Sequence, residues 1–305
     1  MSKPRKYNTK ANERKIMIAT TGMKIGLEVT RGKTKKISTL EGDDTTVIIE
    51  SFDSITAGDG VKKDDIGGKA EFANQTTCNV FALLKAAGIP NAFRGKVDST
   101  RFLADHCKMI PLEVVVRRVA LGSFLHRNPG VKKGEVMSDL VVEFYLKTNN
   151  RGFNGIKIPE CDDPYLLFDE GRQVFLLFNP TKEICQENII ETISSGCVMP
   201  DFFDVKPEMI KTAVRTFEVL EQAWKKLGYT LADFKIEFGF DFFGDLMVAD
   251  VIDNDSWRVI DSQGAHLDKQ VYREGGDLKT VKGMYEKVAQ LTEEFAQQTM
   301  EFARS

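Results

Sequence analysis

The chain has 305 residues, 42% apolar, 29% charged and 10% aromatic, a globular composition long enough for about two domains. Lys and Arg number 42 against 45 Asp and Glu, a net charge of −3. These figures exclude dominant disorder, fibrous repeats and a broad basic surface for nucleic acid, while leaving room for a local cationic pocket that takes a phosphorylated small molecule.

Residues 1–15 carry almost no apolar side chains and are expected to form a flexible tail. β-like segments follow at 25–29, 35–39 and 45–52, separated by turn-forming runs at 31–33 and 41–44. Phe72, Thr76, Val80, Leu83 and Leu84 recur at helical spacing and predict a helix over 69–87, stopped by Gly88 and Pro90. Strands are expected at 110–120 (IPLEVVVRRVA) and 140–147 (LVVEFYLK). Residues 148–165, rich in Asn, Gly, Asp and Pro, read as a long functional loop. A helix is expected to begin at Pro207, with Ile210, Val214, Phe217, Leu220, Trp224 and Leu227 on one face, and another to cover 280–300. Between them, DFKIEFGFDFFGDLMVADVID (233–253) reads as a β-hairpin. Strands cluster rather than alternate with helices, which favours α+β over a doubly wound sheet.

Five widely spaced cysteines (Cys78, Cys107, Cys161, Cys185, Cys197) fit neither a zinc knuckle nor a redox dithiol, and three histidines are too few for a histidine metal centre. The polar N-terminus has no apolar run behind it, and no stretch approaches about 20 apolar residues. The expectation is a reduced cytoplasmic protein without a membrane partner.

Four segments could carry chemistry. GLEVTRGKT (26–34) has five residues between its glycines where a P-loop needs four, and a strand rather than a helix follows. It reads as a hairpin whose tip, Gly32, Lys33 and Lys35, either covers phosphates or is a solvated basic turn. In 233–253, a two-residue turn at Gly244-Asp245 would set Gly239 opposite Asp250 and Glu237 opposite Ile252. Strand alternation then puts Lys235, Glu237 and Asp250 on one face, a Mg²⁺-binding carboxylate pair or a charged surface strand. Asp253, Asp255 and Arg258 follow, then Lys269 and Arg273, which could grip anions. In RRVALGSFLHRNPG (117–130), Arg117, Ser123 and Arg127 surround a strand-to-turn anion cradle, or Arg117 belongs to a buried ion pair.

RGKTKK, SITAGDG with the following GGKA, MIPLEVVVRRVALGSFLHRNPGVKKG, DFKIEFGFD, VADVIDNDSWR and LDKQVYRE, in this order, resemble the SAICAR synthetases of purine biosynthesis, most closely the animal form, in which a carboxylase domain is joined to the synthetase. The resemblance implies ATP-dependent amide ligation of L-aspartate to carboxyaminoimidazole ribonucleotide through an acyl phosphate. It also implies a two-lobed α+β fold similar to ATP-grasp enzymes, with ATP between a β-rich lobe (16–105) and a larger α+β lobe (106–305). Gly32, Lys33 and Lys35 would contact ATP, with Lys235 and Glu237 beside it. Glu237 and Asp250 would hold Mg²⁺, and Lys35, Lys235, Glu237 and Asp250 would act in catalysis. Arg117, Ser123, Arg258, Lys269 and Arg273 would bind the other substrates. Asp59 lies in a shared motif without an assigned role. Family members carry an acidic pair soon after the strand at 140–147, where this chain has Thr148-Asn149-Asn150, so Asp162 and Asp163 are unassigned. A homo-oligomer, and fusion to or association with a carboxylase domain, are compatible with the resemblance. A small-molecule kinase with a similar nucleotide clamp is the alternative enzyme, separable because it would release ADP without aspartate.

Overall fold

The computed structural model describes residues 23–57, 62–295 and 298; the expected tail at 1–15 and Asp59 lie outside the described residues. The chain opens with an antiparallel hairpin, β1 (Ile25–Arg31) and β2 (Lys35–Leu40), closed by the Gly32 amide donating to the Lys35 carbonyl at 2.9 Å. No helix opens behind Gly32, so a hairpin stands where a P-loop would need strand and helix. β3 (Asp43–Ser51) pairs with β2, and a short hairpin, β4 (Ser54–Ala57) with β5 (Lys62–Asp65), leads into α1 (Lys69–Ala86). The Asp53 carboxylate accepts from the Gly68 and Ala70 amides at 3.2 and 2.9 Å, satisfying donors the first helical turn leaves free. β6 (Phe93–Lys96) and β7 (Arg101–Asp105) complete a five-stranded sheet in the order β1-β2-β3-β7-β6.

The larger sheet is built from β8 (Lys108–Val119), followed by the one-turn helix α2 (Ser123–Arg127), and β9 (Val136–Leu146). The expected loop 148–165 holds a miniature hairpin, β10 (Gly152–Phe153) and β11 (Ile156–Lys157), before β12 (Tyr165–Asp169), β13 (Val174–Phe178) and β14 (Ile189–Ser194). Then come α3 (Phe202–Lys226), β15 (Thr230–Phe240), β16 (Leu246–Ala249), β17 (Trp257–Ile260), α4 (Gln270–Arg273) and α5 (Leu278–Glu293). The strand order is β14-β13-β12-β9-β8-β15-β16, with β17 also on β15. Every pairing between these strands is antiparallel, the α+β arrangement that the clustering of strands predicts.

Strand alternation divides the chemistry from the core. Leu112, Val114 and Val116 of β8, Phe144 and Leu146 of β9, and Phe234, Ile236 and Phe238 of β15 are buried on the face covered by α3. The covering stripe of α3 is Met209, Ala213, Phe217, Leu220 and Trp224, each fully buried, and each large side chain contributes about 2 kcal/mol by leaving water. α3 starts five residues before the expected Pro207, which sits inside the helix. Phe202 and Phe203 pull the earlier turn into order by packing on Phe168 and Phe175, with ring centroids 4.7–6.4 Å apart. Among the described residues no helix is long and apolar enough to cross a membrane.

Candidate active site

The opposite face of the large sheet carries the charges. Glu113 and Arg117 of β8, Glu143 and Tyr145 of β9, and Asp233, Lys235 and Glu237 of β15 share it, because each occupies the alternate position to a core residue. Glu113 and Glu237 are direct cross-strand partners, a repulsive pair unless countered. Lys235 donates to Glu113 at 2.6 Å and Lys147 pairs with Glu237. Burial raises the Glu113 carboxyl, yet Lys235 holds it below the usual glutamate range. Glu113 in turn pushes the Lys235 ammonium above the ordinary lysine value.

One edge of β15 is taken by β8. The other is divided between two short strands, β16 against 237–240 and β17 against 230–234, and residues 250–256 leave the sheet between them. This split delivers Asp250, Asp255 and Ser256 to the charged face. The register differs from expectation: Glu237 faces Ala249 and Gly239 faces Met247. The Asp241 carboxylate accepts from the Phe243 and Asp245 amides, both at 2.9 Å, and winds 241–245 into a five-residue loop in place of a two-residue turn. This three-residue shift would turn Asp250 to the core face of a regular strand. Instead β16 ends at Ala249, and Asp250, at φ 67°, turns back beside Glu237. Asp250 pairs with Lys35 of β2. Burial and the neighbouring Asp250 raise the Glu237 carboxyl, whereas burial of Asp250 is outweighed by Lys35, which holds it low.

Three cavities join along this face. The first, about 300 Å³, is lined by Lys33, Lys35, Lys147, Glu237, Asp250 and Lys269. The second, about 370 Å³, is lined by Arg117, Ser123, Tyr145, Asp163, Asn179 and Arg258. Glu113, Lys235, Asp255, Ser256 and Arg273 line both and form their seam. The third, about 410 Å³, is apolar and opens between the two sheets, with Ile37, Val47, Ile49, Ala104 and Ile110 in its walls and Lys35, Glu237 and Asp250 at its inner end.

At the far end of the second cavity Gly122, with φ 61°, lets the chain turn against Arg258: a Cβ there would lie 2.5 Å from Nη2 and 3.0 Å from Cζ. Arg258 and Ser123 thus meet at one corner. Arg258 also donates to Asp233 at 2.6 Å, and Asp233 accepts from Arg117 at 2.8 Å. Arg117, buried beneath, pairs with Glu143 as well, so it braces the corner from a buried ion network. Arg127 is no part of the cradle: its side chain is wholly buried, donating to the Pro180 carbonyl at 2.8 Å and to Tyr145 at 2.7 Å.

The other sequence candidates divide as follows. Lys33, Lys35, Lys235, Glu237, Asp250, Arg117, Ser123, Arg258, Lys269 and Arg273 all line the cleft, while Gly32 shapes the hairpin and lines none of it. Asp162 and Asp163 reach the second cavity from the 148–165 loop, and burial raises the Asp163 carboxyl. Asp253 is buried behind the cleft, accepting from the Asp255 amide at 2.9 Å. Sequence reasoning missed Glu113 and Lys147. Glu113 had a signal, a lone acid among apolar residues in IPLEVVV; Lys147, one residue beyond β9, had none.

On chemical grounds the Glu237–Asp250 pair suits a divalent cation. Glu237 and Asp250 are half-buried carboxylates, and each raises the other's need for positive charge. Among the described residues no group of three or more His, Cys, Asp or Glu could form a protein-only cage. Two carboxylates suit Mg²⁺, which keeps waters and binds phosphate oxygens.

The SAICAR synthetase family matches residues 28–159 and 198–292. The phosphoribosylaminoimidazole-succinocarboxamide synthase of Roseiflexus sp. (strain RS-1) is 36% identical over 285 residues, covering 90% of this chain and 100% of its own. The multifunctional protein ADE2 of Gallus gallus is 38% identical over 266 residues, covering 86% of this chain, which spans only 55% of that longer protein. A solved SAICAR synthetase (Type-2) in complex with ADP superposes with a TM-score of 0.69 at 29% identity, over 88% of this chain and 97% of that one.

Proposed function

The chain belongs to the SAICAR synthetase family, and we propose that it joins L-aspartate to carboxyaminoimidazole ribonucleotide with cleavage of ATP, giving the succinocarboxamide, ADP and phosphate. The observation that carries this reading is the continuity of the cleft. A lysine–carboxylate chamber and a Ser123–Arg258 anion corner share a seam of Glu113, Lys235, Asp255, Ser256 and Arg273.

In this reading ATP lies between a lobe of residues 16–105 and a lobe of residues 106–305, as in ATP-grasp enzymes. The apolar cavity takes the base, and its phosphates run under the Gly32 hairpin to Lys33, Lys35 and Lys235. The ribonucleotide phosphate occupies the Ser123–Arg258 corner, with Arg117 behind it, so the imidazole carboxylate reaches the seam. Glu237 and Asp250 would hold Mg²⁺, which supplies charge to the transferring phosphoryl group. The ribonucleotide's carboxylate oxygen takes the γ-phosphoryl group as ADP leaves. The aspartate amine then attacks the acyl carbon and phosphate departs. Lys269 and Arg273 grip the carboxylates of aspartate. No side-chain nucleophile is needed, and the seam is set with lysines that offset developing charge. The activity belongs to the cytoplasm, and a carboxylase domain, fused or associated, is the expected partner by analogy with the longer animal relative.

Measuring ADP release with each substrate omitted in turn tests the reading. ADP should require both aspartate and the ribonucleotide for sustained turnover. ADP formed at the full rate without aspartate would mean phosphoryl transfer to a hydroxyl acceptor instead.

A further inference from the structure

Lys69 is a lysine in an expensive place. It is 1% exposed, although ammonium groups are seldom buried, and it occupies the first turn of α1, where the helix dipole already presents positive charge. It lines none of the three cavities. Its Nζ lies 5.1 Å from the centre of the Tyr285 ring, and its charge acts on Asp253 and Asp255. Tyr285, 1% exposed on α5, donates its hydroxyl to Asp255 Oδ1. The other oxygen, Oδ2, accepts from Lys269 Nζ at 2.8 Å.

We infer that Lys69, together with Tyr285, is a positioning residue for the ligation: Tyr285, held under the Lys69 ammonium, fixes the Asp255 carboxylate from behind, and Asp255 fixes the Lys269 ammonium beside the seam. The inference rests on the ligase reading above. The connection is a relay of place, with no atom transferred. Lys269 first, and Lys69 after it, hold the Asp255 carboxyl below its ordinary range despite burial, and Tyr285 sets its rotamer. Lys269, a flexible side chain, is thereby held to one of its many positions before substrate arrives. Preorganised charge of this kind accelerates a step because it need not reorganise during the reaction. The two helices that supply these groups, α1 and α5, pack on each other, and no residue of either lines the three cavities.

Lys69→Met and Tyr285→Phe test the inference, alone and combined with Asp255→Asn, in steady-state assays well below each variant's melting temperature. Lys69→Met should lower kcat about tenfold or more and raise the KM for aspartate, with the KM for ATP within about twofold of wild type. Tyr285→Phe removes one hydroxyl and should give the same pattern more weakly, which keeps the test open if Lys69→Met does not fold. Neither substitution should add its full effect to Asp255→Asn, since both act through that carboxylate. Normal kcat and aspartate KM in folded variants, or full additivity with Asp255→Asn, would overturn the inference. A wild-type protein that forms no product would instead defeat the ligase reading, which separates the two failures.

Discussion

Asp250 combines a left-handed backbone, a carboxylate opposed to Glu237 and an ion pair to a lysine from the other sheet. Asn tolerates the same backbone region, so Asp250→Asn keeps the shape while removing the charge and with it the Lys35 ion pair. If Asp250 holds Mg²⁺ as proposed, its loss should remove about 3 kcal/mol of transition-state stabilisation, roughly a hundredfold in rate. Loss of the Lys35 pair is offset by relief of the repulsion between Asp250 and Glu237, so melting of the ligand-free protein should change little, while stabilisation by MgATP shrinks. Near-normal turnover would show that the carboxylate does not serve phosphoryl transfer. Gly122 is constrained differently, because the space a Cβ would need is filled by the Arg258 guanidinium. Gly122→Ala should displace Arg258 and weaken ribonucleotide binding at least tenfold in calorimetric titration. ATP binding, whose expected residues lie in the other chamber, should be retained.

At the scale of elements, the aromatic start of α3 is a packing device. Phe202 is fully buried among Phe144, Phe168 and Phe175. Phe202→Ala should cost about 3–5 kcal/mol in denaturant unfolding with little effect on the KM values of the folded fraction, because the cluster lies on the core face. A loss below about 1 kcal/mol would mean the first turn of α3 frays at no cost. The same helix shows where sequence reading stops. Its 3.6-residue stripe was legible from Phe217 to Trp224 because one uniform surface, the core face of β8 and β15, imposes the period, whereas earlier in the helix Met209 and Ala213 are buried where the sequence pointed to Ile210 and Val214. Its true start was not, since Phe202 and Phe203 are ordered by strands about 30 residues earlier. The site divides along the same line. Lys235 and Glu237 follow from alternation within a single strand. The position of Asp250 depends on the Asp241 turn and on a left-handed residue, neither of which leaves a period to read.

Across the whole molecule, the segment after β17 is held by Asp268, whose carboxylate accepts from the Val259 and Gln270 amides at 3.1 and 2.7 Å and meets His266 Nδ1 at 3.0 Å. The Asp268 hydrogen bond raises the His266 pKa despite partial burial and the nearby Arg258 charge. A histidine bound more tightly to its proton when folded stabilises fully below its unfolded pKa of about 6.5, and the benefit is lost as pH rises through the folded value. Wild type should therefore lose melting temperature relative to His266→Gln as pH is raised from about 6 to 8.5; parallel curves would show that the imidazole contributes nothing. The pairing inside the cleft has a wider consequence. Lys35, Lys147, Lys235, Lys269 and Arg258 each already have a carboxylate partner. To pair with any of these five, an incoming polyanion has to compete with an internal carboxylate for it. On the proposed reading the cleft works as an ion exchanger that favours ligands carrying their own replacement cation. On that reading, nucleotide delivered with its metal would compensate Glu237 and Asp250 for the lysines it takes, whereas free nucleotide or pyrophosphate would not.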